Sequence, residues 1–301
     1  MTKDYKIADM RLRFHGACSD IAAAGVRSFS KFEIRYDPSA ECVAEFMLDR
    51  ETSADAGDIE LLHRFDFPDA GRDCFFGRRN GSHIFYMRPY GCRDSSQDAV
   101  FEMAFGSNLV ESNIAAHGKP DPSLLRFGLW MMFGIAVNGR HAAAIHSSVI
   151  VKDGGAVMFL GESGTGKSTH TRLWRENIEG ARLLNDDSPI VRIVDGKAMV
   201  YGSAWSGKTP CYIDEGYPIR GIVRLSQAPH NKIRKLGLLE SFGAIYPSCP
   251  PSFAYDREMT DNVCELLSAL LERVSVWHLE CLPDADAARL SYRTIFQTTE
   301  Q

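Results

Sequence analysis

Eight consecutive residues, Gly161, Glu162, Ser163, Gly164, Thr165, Gly166, Lys167 and Ser168, fit the pattern G-x-x-x-x-G-K-[ST]. No other stretch limits the fold as tightly. Glycines let the backbone curl so that several N–H groups converge on one anion. The lysine then reaches the β- and γ-phosphates of a nucleotide, the serine hydroxyl meets Mg²⁺, and the helix that follows offers its positive end. Such a loop works only between a buried strand and a helix, so it predicts an α/β core. Flanking residues agree, because Ala156 to Leu160 is an apolar run of strand length and Ser168 to Glu176 reads as a helix. In a chain of 301 residues the pattern arises by chance on the order of once in a hundred sequences.

Composition narrows the class. A content of 45% hydrophobic and 24% charged residues is that of an ordinary globular protein. The formal net charge of −5, with no Lys/Arg block, argues against nucleic acid as the partner. Eight cysteines are scattered without a C-x-x-C pair or zinc spacing, which reads as reduced thiols. The start, Met1 to Tyr5, lacks an apolar signal segment, and the longest apolar run, Phe127 to Val137, is too short to span a bilayer. A cytoplasmic enzyme with no membrane partner is expected.

Residues 1 to about 120 read as a β-rich domain. Lys31–Tyr36 and Cys42–Leu48 alternate, and Asn80-Gly81 is a turn ahead of His83–Met87. His15, His63, His83 and His117 stand alone and read as packing or surface histidines. Pro120-Asp-Pro122 punctuates the chain, placing a boundary near residue 120 and a second domain over 121–301. That domain opens with a helix from Ser123 to about Val137, apolar on most faces. Further helices are expected near 256–273 and 284–292, with a strand over 274–281.

Around the loop the pattern is denser. His146 to Val151 and Ala156 to Gly161 read as two strands joined by a tight Asp153-Gly154 turn. Continued outward, that register sets His146 across from Gly161, and a turn one residue longer would undo it. Beyond the loop helix, a short apolar strand ends in Asp186 and Asp187, adjacent acids suited to holding Mg²⁺ and accepting a hydroxyl proton. Then Val200 to Pro210 forms a loop with Gly202, Trp205, Gly207 and Lys208. Its functional reading is a clamp, in which Lys208 neutralises a transferring phosphoryl group; the plain one is a surface turn over a half-buried tryptophan.

His146-Ser-Ser, then Gly161 to Thr169, then Asn185-Asp186-Asp187, resemble in order the core of the HPr kinase/phosphorylase and phosphoenolpyruvate carboxykinase superfamily. The likeness covers roughly residues 140–225. It implies a mixed-sheet α/β P-loop core beside the β-rich N-terminal domain. It also implies residues 161–169 on the nucleotide phosphates of ATP, Ser168 and Asp186 on Mg²⁺, and His146 near metal or phosphate. Asp186 and Asp187 would share metal contact and catalytic base, in an order left open. HPr kinases carry Ser-Glu where this chain has Ser168-Thr169, closer to the carboxykinase pattern. The arginine-rich loop of HPr kinases is not seen, so the resemblance gives no ground to expect the reverse, phosphorylase reaction.

The expected activity is an ATP-dependent kinase transferring the γ-phosphoryl group to a hydroxyl, serine of a peptide or protein first, a small molecule otherwise. A nucleotide-binding regulator or partner-driven ATPase is the alternative. A small carboxykinase-like lyase ranks below both, since no basic dicarboxylate pocket is visible. Whether the chain forms a homo-oligomer stays open.

Overall fold

Period-two alternation over much of the first 112 positions builds one mixed sheet, and a second mixed sheet carries the glycine-rich loop. The computed structural model describes residues 1–54, 59–207 and 209–297. It divides into one unit of Met1–Val137 with Ser252–Met259 and another of Asn138–Pro251 with Thr260–Gln301.

The strands of the first unit are β1 (Thr2–Ile7), β2 (Met10–His15), β3 (Glu33–Ile34), β4 (Ala44–Met47), β5 (Glu60–Phe67), β6 (Arg72–Arg79), β7 (Ser82–Pro89), β8 (Ala99–Ala104) and β9 (Leu109–Ser112). Their order across the sheet is β3-β1-β2-β4-β9-β8-β7-β6-β5. A four-residue helix, α1 (Ile21–Ala24), and a long one, α2 (Pro122–Val137), complete it. The β-rich expectation for this region holds. The Asn80-Gly81 turn forms with φ of 47° and 80°, and closes the β6–β7 ladder at Arg79 and Ser82.

Two expectations change here. Lys31–Tyr36 does not run as a strand; Arg27–Lys31 is a 3₁₀ turn and only Glu33–Ile34 pair. The cause is Phe29 and Phe32, three apart and both fully buried, a spacing that one helical turn satisfies and a strand does not. The second change concerns α2, which belongs to the first unit and not to the half with the loop. Phe127 packs edge-on to Phe85 of β7 at 5.5 Å between ring centroids. Gly128 lies against the ring of Phe101 on β8, where an added Cβ would stand 2.1 Å from the ring. An apolar helix covers the nearest apolar sheet face, whichever side of a proline pair it follows.

The second unit holds β10 (Ala142–Ala144), β11 (Ser147–Lys152), β12 (Gly155–Leu160), β13 (Arg182–Asp187), β14 (Ile190–Val194), β15 (Lys197–Tyr201), β16 (Gly216–Gln227), β17 (Lys232–Lys235) and β18 (Val276–Cys281). Helices α3 (Lys167–Asn177), α4 (Leu238–Ile245), most of α5 (Arg257–Leu271) and α6 (Ala285–Tyr292) accompany them. Asp153 and Gly154 both take positive φ, 48° and 72°, so the β11–β12 turn has two residues. Lys152 therefore pairs with Gly155 and Ser148 with Phe159, the register expected from the sequence.

Ile222 of β16 pairs with Met158 of β12 on one side and with Val276 of β18 on the other, both in parallel. β11 is antiparallel to both β12 and β13. The local order is thus β18-β16-β12-β11-β13, with only β11 reversed. Trp174 of α3 anchors the helix layer: it is fully buried, meets Phe159 at 5.6 Å, and donates from Nε1 to Ser291 Oγ at 2.9 Å. No helix among the described residues is long and apolar enough to cross a membrane.

Candidate functional site

Because β18, β16, β12 and β13 run the same way, their C-terminal ends lie along one edge of the sheet. At that edge Leu160 lies level with Arg224 and His278, Asp187 ends the strand beyond β11, and Gln227 and Cys281 extend three residues further. In open α/β sheets the crevice beyond the carboxyl ends of the strands is where ligands collect. Here the glycine-rich loop leaves β12 at that edge and enters α3.

Within the loop, Gly164 and Gly166 hold φ of 82° and 107°, values a side chain would strain. Gly166 is the residue before the first turn of α3, and no side chain caps that turn. Lys167 folds back over the loop, its Nζ donating to Gly161 O at 2.7 Å and to Glu162 O at 3.2 Å. Burial lowers the pKa of this ammonium from its usual value, while the charges of Asp186 and Asp187 oppose that fall.

In the first turn of α3, Ser168 Oγ donates to Asp186 Oδ1 at 3.1 Å. Asp186 is 7% exposed, and its place across β11 from Ser148 is set by the ladder. Asp187 is half-buried and bonds His146 Nδ1 through Oδ1 at 3.1 Å. His146 precedes β11 by one residue, and its backbone N–H donates to Ser248 O at 2.7 Å. The two acids therefore have different partners, the loop serine for one and the histidine for the other. Four of the residues singled out in the sequence, His146, Ser168, Asp186 and Asp187, are joined by direct contacts. Glu162 and Ser163 lie exposed at the loop tip and Thr165 bonds Glu162 O, while Thr169 faces the opposite side of α3 from Asp186.

Three further residues complete the arrangement, none given a role by the sequence pattern. Asn185, fully buried, accepts from the N–H groups of Asp187 (3.1 Å) and Ser188 (3.0 Å) and donates to Ser203 Oγ (3.2 Å) and Trp205 O (3.0 Å). It ties the end of β13 to the 202–207 loop. Gly207 N then donates to Asp186 O at 2.8 Å, and a Cβ on Gly207 would stand 2.7 Å from that oxygen. The second addition is Arg224 near the end of β16. Its Nη1 donates to Ala244 O at 3.1 Å and its Nη2 lies 3.8 Å from Glu162 Oε1. The third, Gln227, donates from Nε2 to Gly164 O at 3.2 Å.

The 202–207 loop corrects one expectation. Trp205 is not half-buried but enclosed, its side chain 2% exposed and its carbonyl held by Asn185 and Ser203. Lys208 lies outside the described residues. Among the described residues, Arg224 is a cation that stands beside the loop.

No protein-family model matches this chain, and no curated protein matches it. Among solved structures it is similar to the Hpr(Ser) kinase/phosphatase from Coxiella burnetii, over 51% of this chain and 93% of that one. The identity is 12% and the TM-score 0.30, a loose likeness.

Proposed function

We propose that this chain is an ATP- and Mg²⁺-dependent kinase that transfers the γ-phosphoryl group to a hydroxyl, serine of a peptide or protein first. One observation carries the reading. The first turn of the loop helix touches a buried carboxylate, Ser168 Oγ on Asp186 Oδ1 at 3.1 Å, and the adjoining carboxylate is paired with a histidine. A glycine-rich loop with only a structural role has no use for either pair.

In this reading Lys167 leaves the carbonyls of Gly161 and Glu162 and takes β- and γ-phosphate oxygens instead. Its part-buried ammonium, now held only by neutral carbonyl oxygens, gains charged partners in that exchange. Ser168 and Asp186 would hold Mg²⁺; both offer hard oxygen donors. Among the described residues no cluster of three or more His, Cys, Asp or Glu is arranged to hold a metal, so phosphate oxygens and water would fill the remaining positions. The ion supplies neutralisation of charge on the phosphates.

Asp187, oriented by His146, accepts the proton of the acceptor hydroxyl. That oxygen forms the new bond to Pγ, the bond from Pγ to the β–γ bridging oxygen breaks, and ADP departs with the electron pair. Arg224 lies on the other flank of the loop as a further cation for the phosphoryl oxygens.

The test is incubation with γ-labelled ATP, Mg²⁺ and seryl peptides, read by mass spectrometry for a phosphate adduct. Asp187→Asn is expected to lose about 10²–10⁴ in turnover while still binding nucleotide. Lys167→Ala is expected to lose tight ATP·Mg²⁺ binding by calorimetry. Release of phosphate to water alone would favour the ATPase reading. Unchanged nucleotide affinity in Lys167→Ala would end the phosphate-loop assignment.

A further inference from the structure

Helix α4 lies along the same edge of the sheet as the paired acids. Register places Arg234 of β17, His278 of β18, Arg224 of β16 and Leu160 of β12 on one level. At that level three contacts hold α4 and the 3₁₀ turn Tyr246–Ser248 that follows it. Glu240 accepts from both Nη atoms of Arg234, at 2.8 and 3.1 Å. Ala244 O accepts from Arg224 Nη1 at 3.1 Å, and Ser248 O from the His146 N–H at 2.7 Å. The segment thus crosses from β17 past β16 to the start of β11, and His146 and Arg224 of the candidate site are two of its three anchors.

Its outward face is apolar. Leu238 and Leu239 are 74% and 85% exposed. Phe242 and Tyr246, one turn apart and partly exposed, stack at 5.5 Å between ring centroids. Ser241, Ala244 and Ile245 form the buried face. Gly243 is exposed, and a Cβ there would meet nothing within 4 Å. Glycine inside a helix weakens it, and what it offers in return is close approach of another backbone. Glu240 is the one charged side chain of the helix, and Arg234 already occupies it. Contiguous exposed apolar surface of this kind marks a place of association. At the β17 end, Lys232 and Lys235 are exposed and make no ion pair among the described residues, in a chain of net charge −5.

We infer that the outward face of α4 is the docking surface for the acceptor polypeptide, taking apolar side chains on Leu238, Leu239, Phe242 and Tyr246 and acidic ones at Lys232 and Lys235. This rests on the kinase reading and adds to it what the acceptor must carry. From Leu239 to Ser248 the segment covers roughly 15 Å, and β13, with Asp187, lies one strand spacing of about 5 Å beyond β11. An extended acceptor spans that distance in about six residues. Its apolar residues therefore fall roughly three to six positions to one side of the serine, with its acids farther out.

The test is phosphoryl transfer from γ-labelled ATP and Mg²⁺ to glycine–alanine peptides with one central serine, in which Leu, Asp or Lys stands singly at each other position. The full chain is compared as wild type, as Leu238→Ser/Leu239→Ser and as Lys232→Glu/Lys235→Glu; all four side chains are exposed, so neither variant disturbs the core. In the wild type, Leu at roughly three to six positions from serine is expected to raise kcat/KM about tenfold through KM, the effect of covering one leucine side chain. The leucine variant is expected to lose that gain, with wild-type kcat and a wild-type rate on the unsubstituted peptide. The lysine variant is expected to lose the preference for Asp and keep that for Leu.

Phosphorylation without a preference for Leu at those positions would overturn the inference and leave the kinase reading standing. So would a Leu preference that survives in the leucine variant, or an Asp preference that survives in the lysine variant. Absence of phosphate from every peptide would remove the kinase reading and the inference together. Sedimentation covers the rival occupant: a wild-type dimer that the leucine variant splits gives the face to a second copy of this chain and overturns acceptor docking there.

Discussion

Asn185 offers the most direct test of how the paired acids are held, and it needs no substrate. Its side chain is fully buried and makes four hydrogen bonds, two accepted from backbone N–H groups and two donated. Asn185→Ala strands the N–H groups of Asp187 and Ser188, each costing about 1–3 kcal/mol when buried without a partner. Trp205 O keeps a donor in Ser203 Oγ at 2.9 Å, so that side of the network loses less. Asp187 is half-buried, and water recovers part of its loss. The net expectation is roughly 2–4 kcal/mol, a drop of about 4–16 °C in Tm at 2–4 °C per kcal/mol for a domain of this size.

Asn185→Asp keeps the shape and both acceptors but turns a carboxylate towards Trp205 O. Its acid would hold a proton in the folded state far above the unfolded value near 4, because only the neutral form has a donor to give. The folded pKa is raised, so the folded state binds more protons across that window. Stability is then greatest at low pH and is lost as pH rises through the folded pKa. Urea unfolding at pH 5 and pH 8, followed by tryptophan fluorescence, reads both effects; Trp174, Trp205 and Trp277 all report on this unit. A loss below 1 kcal/mol in Asn185→Ala, or an Asn185→Asp variant whose deficit does not grow with pH, would refute this account of the network.

Arg224→Ala is expected to depress kcat by about 10–100-fold with a smaller change in ATP affinity, since a cation on the transferring group acts mainly in the transition state. Steady-state kinetics on a phosphorylatable peptide would show it, and wild-type kcat would remove Arg224 from the site. His170, buried against Phe159 and bonded to Ser291 Oγ, has its pKa pushed down to about 4 by desolvation. Below pH 6.5 the unfolded chain takes up a proton that the folded imidazole refuses, so stability falls as pH drops from 6.5 towards 4. His170→Gln should lose about 2 kcal/mol less than wild type between pH 7.5 and pH 5 in urea titrations; parallel slopes for the two proteins would contradict the burial effect.

Local pattern was enough for the elements nearest the loop. A two-residue turn at Asp153-Gly154 can close in only one register, so the β11–β12 pairing was legible before any tertiary contact was known. The strand before the loop, the helix after it, and the strand ending in Asp186 and Asp187 were legible for the same reason: each is set by neighbours in sequence. The 3₁₀ turn at Arg27–Lys31 was not, because alternation at Lys31–Tyr36 competes with the burial of Phe29 and Phe32, and packing decides between them. The side on which α2 packs was hidden too, since an apolar helix carries no mark of the sheet it will cover.

The glycine-rich loop, the hairpin and the acid pair were thus determined by the sequence, as stereochemistry acting over a few residues. Only tertiary structure decided that Ser168 meets Asp186, that His146 meets Asp187, that Asn185 holds the 202–207 loop, and that Arg224 stands beside Glu162. Sequence distance does not encode which strands share an edge. The order β18-β16-β12-β11-β13 does, by aligning the ends of strands that are far apart along the chain.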